Sequence, residues 1–292
     1  MASKNLIIGG FTNYNYNQLK PWVESINEVC GDDVDRVLVV GKTDQETIGE
    51  LIKRNFRIVP MMEINAPIHV ARFLSIYEYL KNQWQEYDYV VTTDVKDVYF
   101  QADPFEIFKD DFFHNQNLKL VVASEGLKYK DEPWGNENLL QAYGPYVHEQ
   151  FKENEIFNVG TFGGYSEYVK DMVFNIITNA LNRPIPICDQ AVYNVLINTQ
   201  PYKDIVQFQP HDSGWAIQAG TTVDPSKINE FRPKLVCKEP TFEDGYFLNL
   251  PGNPASKFAI VHQYDRVPQW KKFVQEKYGQ DDESEMFVYR TT

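Results

Sequence analysis

Short apolar runs separated by helix-length amphipathic stretches fill the first third of the chain. Leu6-Ile7-Ile8-Gly9-Gly10 reads as a buried strand ending in glycines. Residues 18–29 have helical spacing, with Leu19, Trp22, Val23 and Ile26 on one face. A second strand is expected over 36–41 and a third over 56–60. Between them Thr43 and Glu46 make a capping box for a helix running toward Arg54. Val70, Phe73, Leu74, Tyr77, Leu80 and Trp84 form the stripe of a helix over 68–84, and residues 89–92 form a fourth strand. Strand–helix alternation of this kind predicts an α/β fold, a mainly parallel sheet with helices on both faces. Ligands of such sheets gather at the carboxyl ends of the strands. The segments after Gly10, Gly41, Pro60 and Thr92 are therefore where chemistry is expected.

The second half is less regular. A strand is expected over 118–123 and helices over 166–181 and 189–198, with many Pro, Gly and aromatic residues between. One continuous domain over 1–292 is expected, its halves divided near residue 125.

Formal net charge is −13 over 292 residues, which argues against nucleic acid and anionic membrane as partners. An anionic ligand would need local Arg or Lys, a helix N-terminus or a bound metal. Cys30, Cys188 and Cys237 are far apart, with no C-x-x-C pair, so a zinc knuckle or dithiol redox site is not expected. No apolar run reaches the ~18 residues of a membrane span, the N-terminus lacks a signal-peptide core, and no N-x-Ser/Thr site occurs. The expected location is cytoplasmic.

Four segments carry candidate chemistry. Thr92-Thr93-Asp94-Val95-Lys96-Asp97 places two carboxylates after the fourth strand, either as hard ligands for Mg²⁺ or Mn²⁺ or as caps of two turns. Asp103 before Pro104 is read as a cap only. Asn158-Val159-Gly160-Thr161-Phe162-Gly163-Gly164 is either a sugar-reading amide beside a close backbone approach or a structural turn. Asp189-Gln190 either caps the following helix or projects into a cleft. His262 ends an apolar strand, with Arg266, Lys271 and Lys272 following as candidate phosphate contacts.

The order of these four segments resembles the nucleotide-diphospho-sugar transferases, metal-dependent glycosyltransferases of the GT-A fold. The resemblance spans roughly residues 5 to 272 and is most specific over Asp94 to Phe105. It implies a Rossmann-like GT-A sheet in which residues 1–125 bind a nucleotide-diphosphate sugar donor and residues 126–292 a glycan or other hydroxyl acceptor. It implies Mn²⁺ or Mg²⁺ held by Asp94, Asp97 and His262. It places the base and ribose near Thr12, Asn13 and Tyr14, brings Arg72 to the donor, and sets Asn158, Gly160, Asp189 and Gln190 around the donor sugar and acceptor. Two departures stand out. The aspartates are spaced Asp94-x-x-Asp97 instead of Asp-x-Asp. Pro268-Gln269-Trp270 stands where related retaining enzymes have Lys-Pro-Trp, so Arg266 or Lys271 is expected to replace the lysine. The motif order resembles the retaining enzymes, with Asp189 in contact with substrate; Glu125 is the candidate base for an inverting one. The rival readings are a sugar nucleotidyltransferase, disfavoured because Gly9–Tyr14 holds no basic residue, and a silent carbohydrate-binding protein with Trp134, Trp215 and Trp270 as stacking surfaces.

Overall fold

The structure, a computed structural model, describes residues 4–109, 115, 117–212, 214–220, 228–238, 241–249, 253 and 256–281. Strand–helix alternation runs through β1 (Asn5–Phe11), α1 (Tyr16–Val29), β2 (Val34–Val40), α2 (Gln45–Lys53), β3 (Arg57–Pro60), α3 (Ile68–Gln83) and β4 (Tyr89–Thr93). Next come β5 (Val98–Phe100), β6 (Leu120–Lys128), α4 (Pro133–Phe151), β7 (Glu155–Tyr165), α5 (Ser166–Ala180) and α6 (Asp189–Ile197). The remaining elements used below are β8 (Val206–Gln209), β9 (Ala216–Gln218), β10 (Thr241–Glu243), β11 (Tyr246–Leu248), β12 (Ile260–His262) and α7 (Pro268–Tyr278).

The main sheet has the order β3-β2-β1-β4-β7-β6-β8. β1 is parallel to β2 and β4, β2 to β3, and β6 to β8; β7 lies antiparallel between β4 and β6. A small sheet, β5-β12-β9, stands beyond the carboxyl end of β4, and β10 and β11 form a hairpin. One face of the main sheet is covered by α3, α4, α5 and α6 through Phe73, Leu139, Ile176 and Val192. The other receives Leu19, Trp22, Val23 and Ile26 of α1, packed with Val91, Phe100 and Ile260. Burial of side chains of this size stabilises by roughly 1.5–3 kcal/mol each. Trp22 also donates its indole N–H to Thr93 Oγ1 at 2.8 Å, which pins the end of β4.

Several local expectations shift. The N-terminus of α1 is a capping box of Asn15 and Gln18, so the helix begins at Tyr16. α2 is capped by Asp44, whose carboxylate accepts from Thr47 N at 2.6 Å, while Thr43 Oγ1 instead donates to Tyr14 O. On α3 the buried face includes Ile76 and Arg72, and Leu74 only leans on the core. Two long elements appear where the sequence looked irregular. α4 hides its period because Gly144, at φ +77, and Pro145 break it in two. β7 carries glycines that read as a turn, yet they lie inside a strand. A Cβ on Gly163 would come within 2.9 Å of Val90 O, so the crowding of the neighbouring strand demands glycine there.

Candidate active site

The carboxyl end of β4 opens into Asp94-Val95-Lys96-Asp97. Val95 is buried and packs on Gly9, where a Cβ would sit only 2.5 Å from Val95 Cγ1. That anchored valine turns the chain so that both acids face the same side. His262, the last residue of β12, is placed opposite by pairing with Val98 of β5 and Gln218 of β9. Ligand atoms of Asp94, Asp97 and His262 then lie within 4.8 Å of one another. No other such cluster of His, Cys, Asp or Glu occurs among the described residues. Asp103 stays outside it and holds Phe105 N at 2.9 Å, as a cap.

Each carboxylate is divided between two tasks. Asp94 Oδ1 accepts from Arg72 Nη1, and its Oδ2 lies 3.5 Å from His262 Nε2. Asp97 Oδ2 accepts from Arg266 Nη2 at 3.2 Å, and its Oδ1 lies 3.4 Å from the same Nε2. Two arginines therefore hold the outer oxygens while the inner ones share a corner with the imidazole. On the far side of the ring, Thr161 Oγ1 donates to Gly160 O at 2.7 Å, which leaves it to accept from His262 Nδ1–H at 3.3 Å. That hydrogen bond orients the ring and leaves Nε2 for the corner. Gly160 of β7 forms the wall, and a Cβ there would come within 2.6 Å of Asp94 Oδ2 and 2.8 Å of His262 Cε1. Two carboxylate oxygens and an imidazole nitrogen, with space kept clear by a glycine, fit Mn²⁺ or Mg²⁺ in donor chemistry.

Burial opposes ionisation of Asp94, but Arg72 and His262 outweigh it and hold the carboxyl well below the usual range. Asp97 is lowered likewise, His262 and Arg266 overcoming burial. Burial disfavours the His262 imidazolium, yet Asp97 and Asp94 push it up to about 9.

Two cavities meet at this corner, sharing His69, Arg72, Asp94 and Arg266 as walls. The smaller, about 180 Å³, lies toward β1 and is lined by Thr12, Tyr14, Lys96 and Asp97 among others. The larger, about 370 Å³, runs the other way past Asn158, Gly160, Asp189 and Gln190 to Glu125, Glu132 and Trp134. Glu125 Oε1 accepts from Asn158 Nδ2 at 2.6 Å and Gln190 Nε2 at 3.1 Å. Burial of this wall raises Glu125 to about 7 despite those two donors.

The apo structure of the bifunctional glycosyltransferase WbbM matches with a TM-score of 0.60 at 14% identity, covering 97% of this chain and 50% of that one. The galactosyltransferase LgtC, solved with donor and acceptor sugar analogues, matches with a TM-score of 0.52 at 13% identity over 98% of both chains. The fold is that of the GT-A glycosyltransferases. This chain spans half the length of WbbM. No family model and no curated protein matches the sequence.

Within this GT-A fold most of the expected residues converge. Asp189 is the first residue of α6; Cys188, not Asp189, occupies the capping position. Its buried carboxylate faces the larger cavity 3.6 Å from Arg72 Nη2, and burial raises its pKa. Arg72 is only 8% exposed because it is strapped between Asp94 and Asp189. Asn158 also turns its Oδ1 to Gly160 N at 2.7 Å, so it braces the wall as well as facing the cavity. Asn13 lies on the exposed turn after β1, at φ +61, outside both cavities. Lys271 lines a separate groove along α7 with Lys272 and Gln275, so of the two expected replacements for the lysine it is Arg266 that reaches the corner. Sequence reasoning passed over Thr161 and His69. Thr161 follows Gly160 directly, and His69 lies one helical turn before Arg72, a spacing that puts both on one face of α3.

Proposed function

We propose that this chain is a glycosyltransferase that moves a sugar from a nucleotide-diphosphate sugar to a hydroxyl of a glycan acceptor, with a divalent cation and with retention of configuration. The observation that carries the reading is the corner formed by Asp94, Asp97 and His262 between two cavities of unequal size. The smaller cavity suits the nucleotide, the larger the transferred sugar and the acceptor. Asp94, Asp97 and His262 would hold Mn²⁺ or Mg²⁺, which when bound supplies positive charge beside the departing diphosphate.

The side chains do the rest. Arg266 and Lys96 border the nucleotide side and stabilise phosphate charge as it develops, in place of the lysine at whose position Pro268 stands. Arg72, held by two acids, fixes Asp189 so that its free oxygen accepts a donor-sugar hydroxyl. Gln190 and Asn158 present amides along the same wall. A retaining outcome needs no carboxylate base for the acceptor, whose proton passes to the leaving phosphate. One observation favours inversion instead: Glu125, raised to about 7, is poised to take a proton near neutral pH. The anomeric configuration of the product, read by proton NMR, separates the two.

The test is donor consumption in the presence of Mn²⁺ across a panel of sugar nucleotides. Turnover is expected to vanish on chelation and to fall by at least about 100-fold in Asp94→Ala and Asp97→Ala, with the far-ultraviolet dichroism of each variant unchanged. Full turnover in both variants overturns the assignment.

A further inference from the structure

Trp134 is 56% exposed and is the sole indole lining the larger cavity among the described residues. A large ring left open to water inside a polar cleft points to a ligand that covers it. The backbone that carries it is fixed from two directions. Glu132 caps the start of α4, its Oε1 accepting from Trp134 N at 3.2 Å and its Oε2 from Gly135 N at 2.5 Å. One turn on, Asn138 Nδ2 donates to Ile187 O at 2.6 Å, tying α4 to the loop that leads into Asp189 and Gln190. Ile187 lines the same cavity. The backbone that carries the ring is thus tied to the loop before Asp189, and Glu125, Gln190 and Asn158 line the same cavity as the indole.

The charges at this end restrict what binds. Glu125 and Glu132 are both carboxylic groups, and the arginines that border the cavity are engaged by acids, Arg72 with Asp94 and Asp189, Arg266 with Asp97 and Asp265. An anionic ligand would find both arginines already paired with acids there. A flat apolar ring beside carboxyl and amide acceptors matches a molecule with C–H groups on one face and hydroxyls around its rim. The geometry points to a neutral pyranose as the acceptor, its ring face on Trp134 and one hydroxyl turned toward Glu125 and Gln190. This rests on the sugar-transfer reading for the word acceptor, but the binding itself does not.

Saturation-transfer NMR on the whole chain, with and without diamagnetic Mg²⁺ plus uridine or guanosine diphosphate, tests it. The probes are methyl glucoside, methyl galactoside and methyl N-acetylglucosaminide, with methyl glucuronide and tyrosine amide as contrasts. At least one neutral glycoside is expected to bind through its ring protons. Trp134→Phe is expected to weaken it a few-fold and Trp134→Ala ten-fold or more, while the Mn²⁺-induced rise in melting temperature stays as in the wild type. Equal binding by Trp134→Ala, absence of neutral-glycoside binding, or preference for the glucuronide or the tyrosine amide overturns the inference. Sugar-nucleotide consumption in the same preparation bears on the transferase reading alone. A wild type that binds glycosides through Trp134 and consumes no donor keeps this inference and removes the other.

Discussion

At the scale of single residues, the corner works by division of labour within each carboxylate. Arg72 and Arg266 occupy one oxygen apiece of Asp94 and Asp97, so the other oxygens are aimed into the corner beside His262. The acids and His262 were picked out in the sequence by the order of their segments, which resembles the GT-A transferases, since each taken alone also reads as a turn cap or a structural residue. The straps were not. Arg72 sits off the apolar stripe of its helix, and only the fold shows that two acids bury it. Glu125 gives a pH signature. An ordinary glutamate ionises near 4.5 in the unfolded chain, and in the folded protein it does so at about 7. The unfolded chain therefore sheds the proton first, and stability falls as pH rises through that window, by at most about 3 kcal/mol. Thermal melts from pH 4.5 to 7.5 should show this slope in the wild type and a flatter one in Glu125→Gln.

At the scale of elements, β7 decides the site. The sequence signalled strands through unbroken aliphatic runs, and there it succeeded for β1, β2, β3, β4 and the first part of β6. β7 escaped because Gly160, Gly163 and Gly164 imitate a turn, whereas each lies against crowded neighbours. α4 escaped for the opposite reason, since its broken middle at Gly144 and Pro145 erases a period that its two halves keep. The two glycines predict different outcomes. Gly160→Ala thrusts a methyl group against Asp94 Oδ2 and should abolish Mn²⁺ binding in titration calorimetry, at an overpacking cost of roughly 1–3 kcal/mol. Gly144→Ala meets no neighbouring atom within 4 Å but holds φ +77 and ψ 174, a region all but reserved for glycine, and should cost about 1–3 kcal/mol, with Mn²⁺ affinity unchanged.

At the scale of the molecule, the corner draws on β4, β7 and β12, elements far apart along the chain. An ion that binds only when these are assembled must stabilise the whole. At a hundred times its dissociation constant Mn²⁺ should add about 2.7 kcal/mol to unfolding, visible as a raised melting temperature that a chelator reverses and Asp94→Ala lacks. No helix among the described residues is long and apolar enough to cross a membrane. The insertion of β7 between β4 and β6 has one more effect. Strands β6 and β8 reach the β1–β4 group only through β7, so a nascent chain carrying the first aspartates has neither the glycine wall nor the histidine. During synthesis Asp94, Asp97, Gly160 and His262 come together late and all at once, after residue 262 has left the ribosome, so the corner has no half-built form.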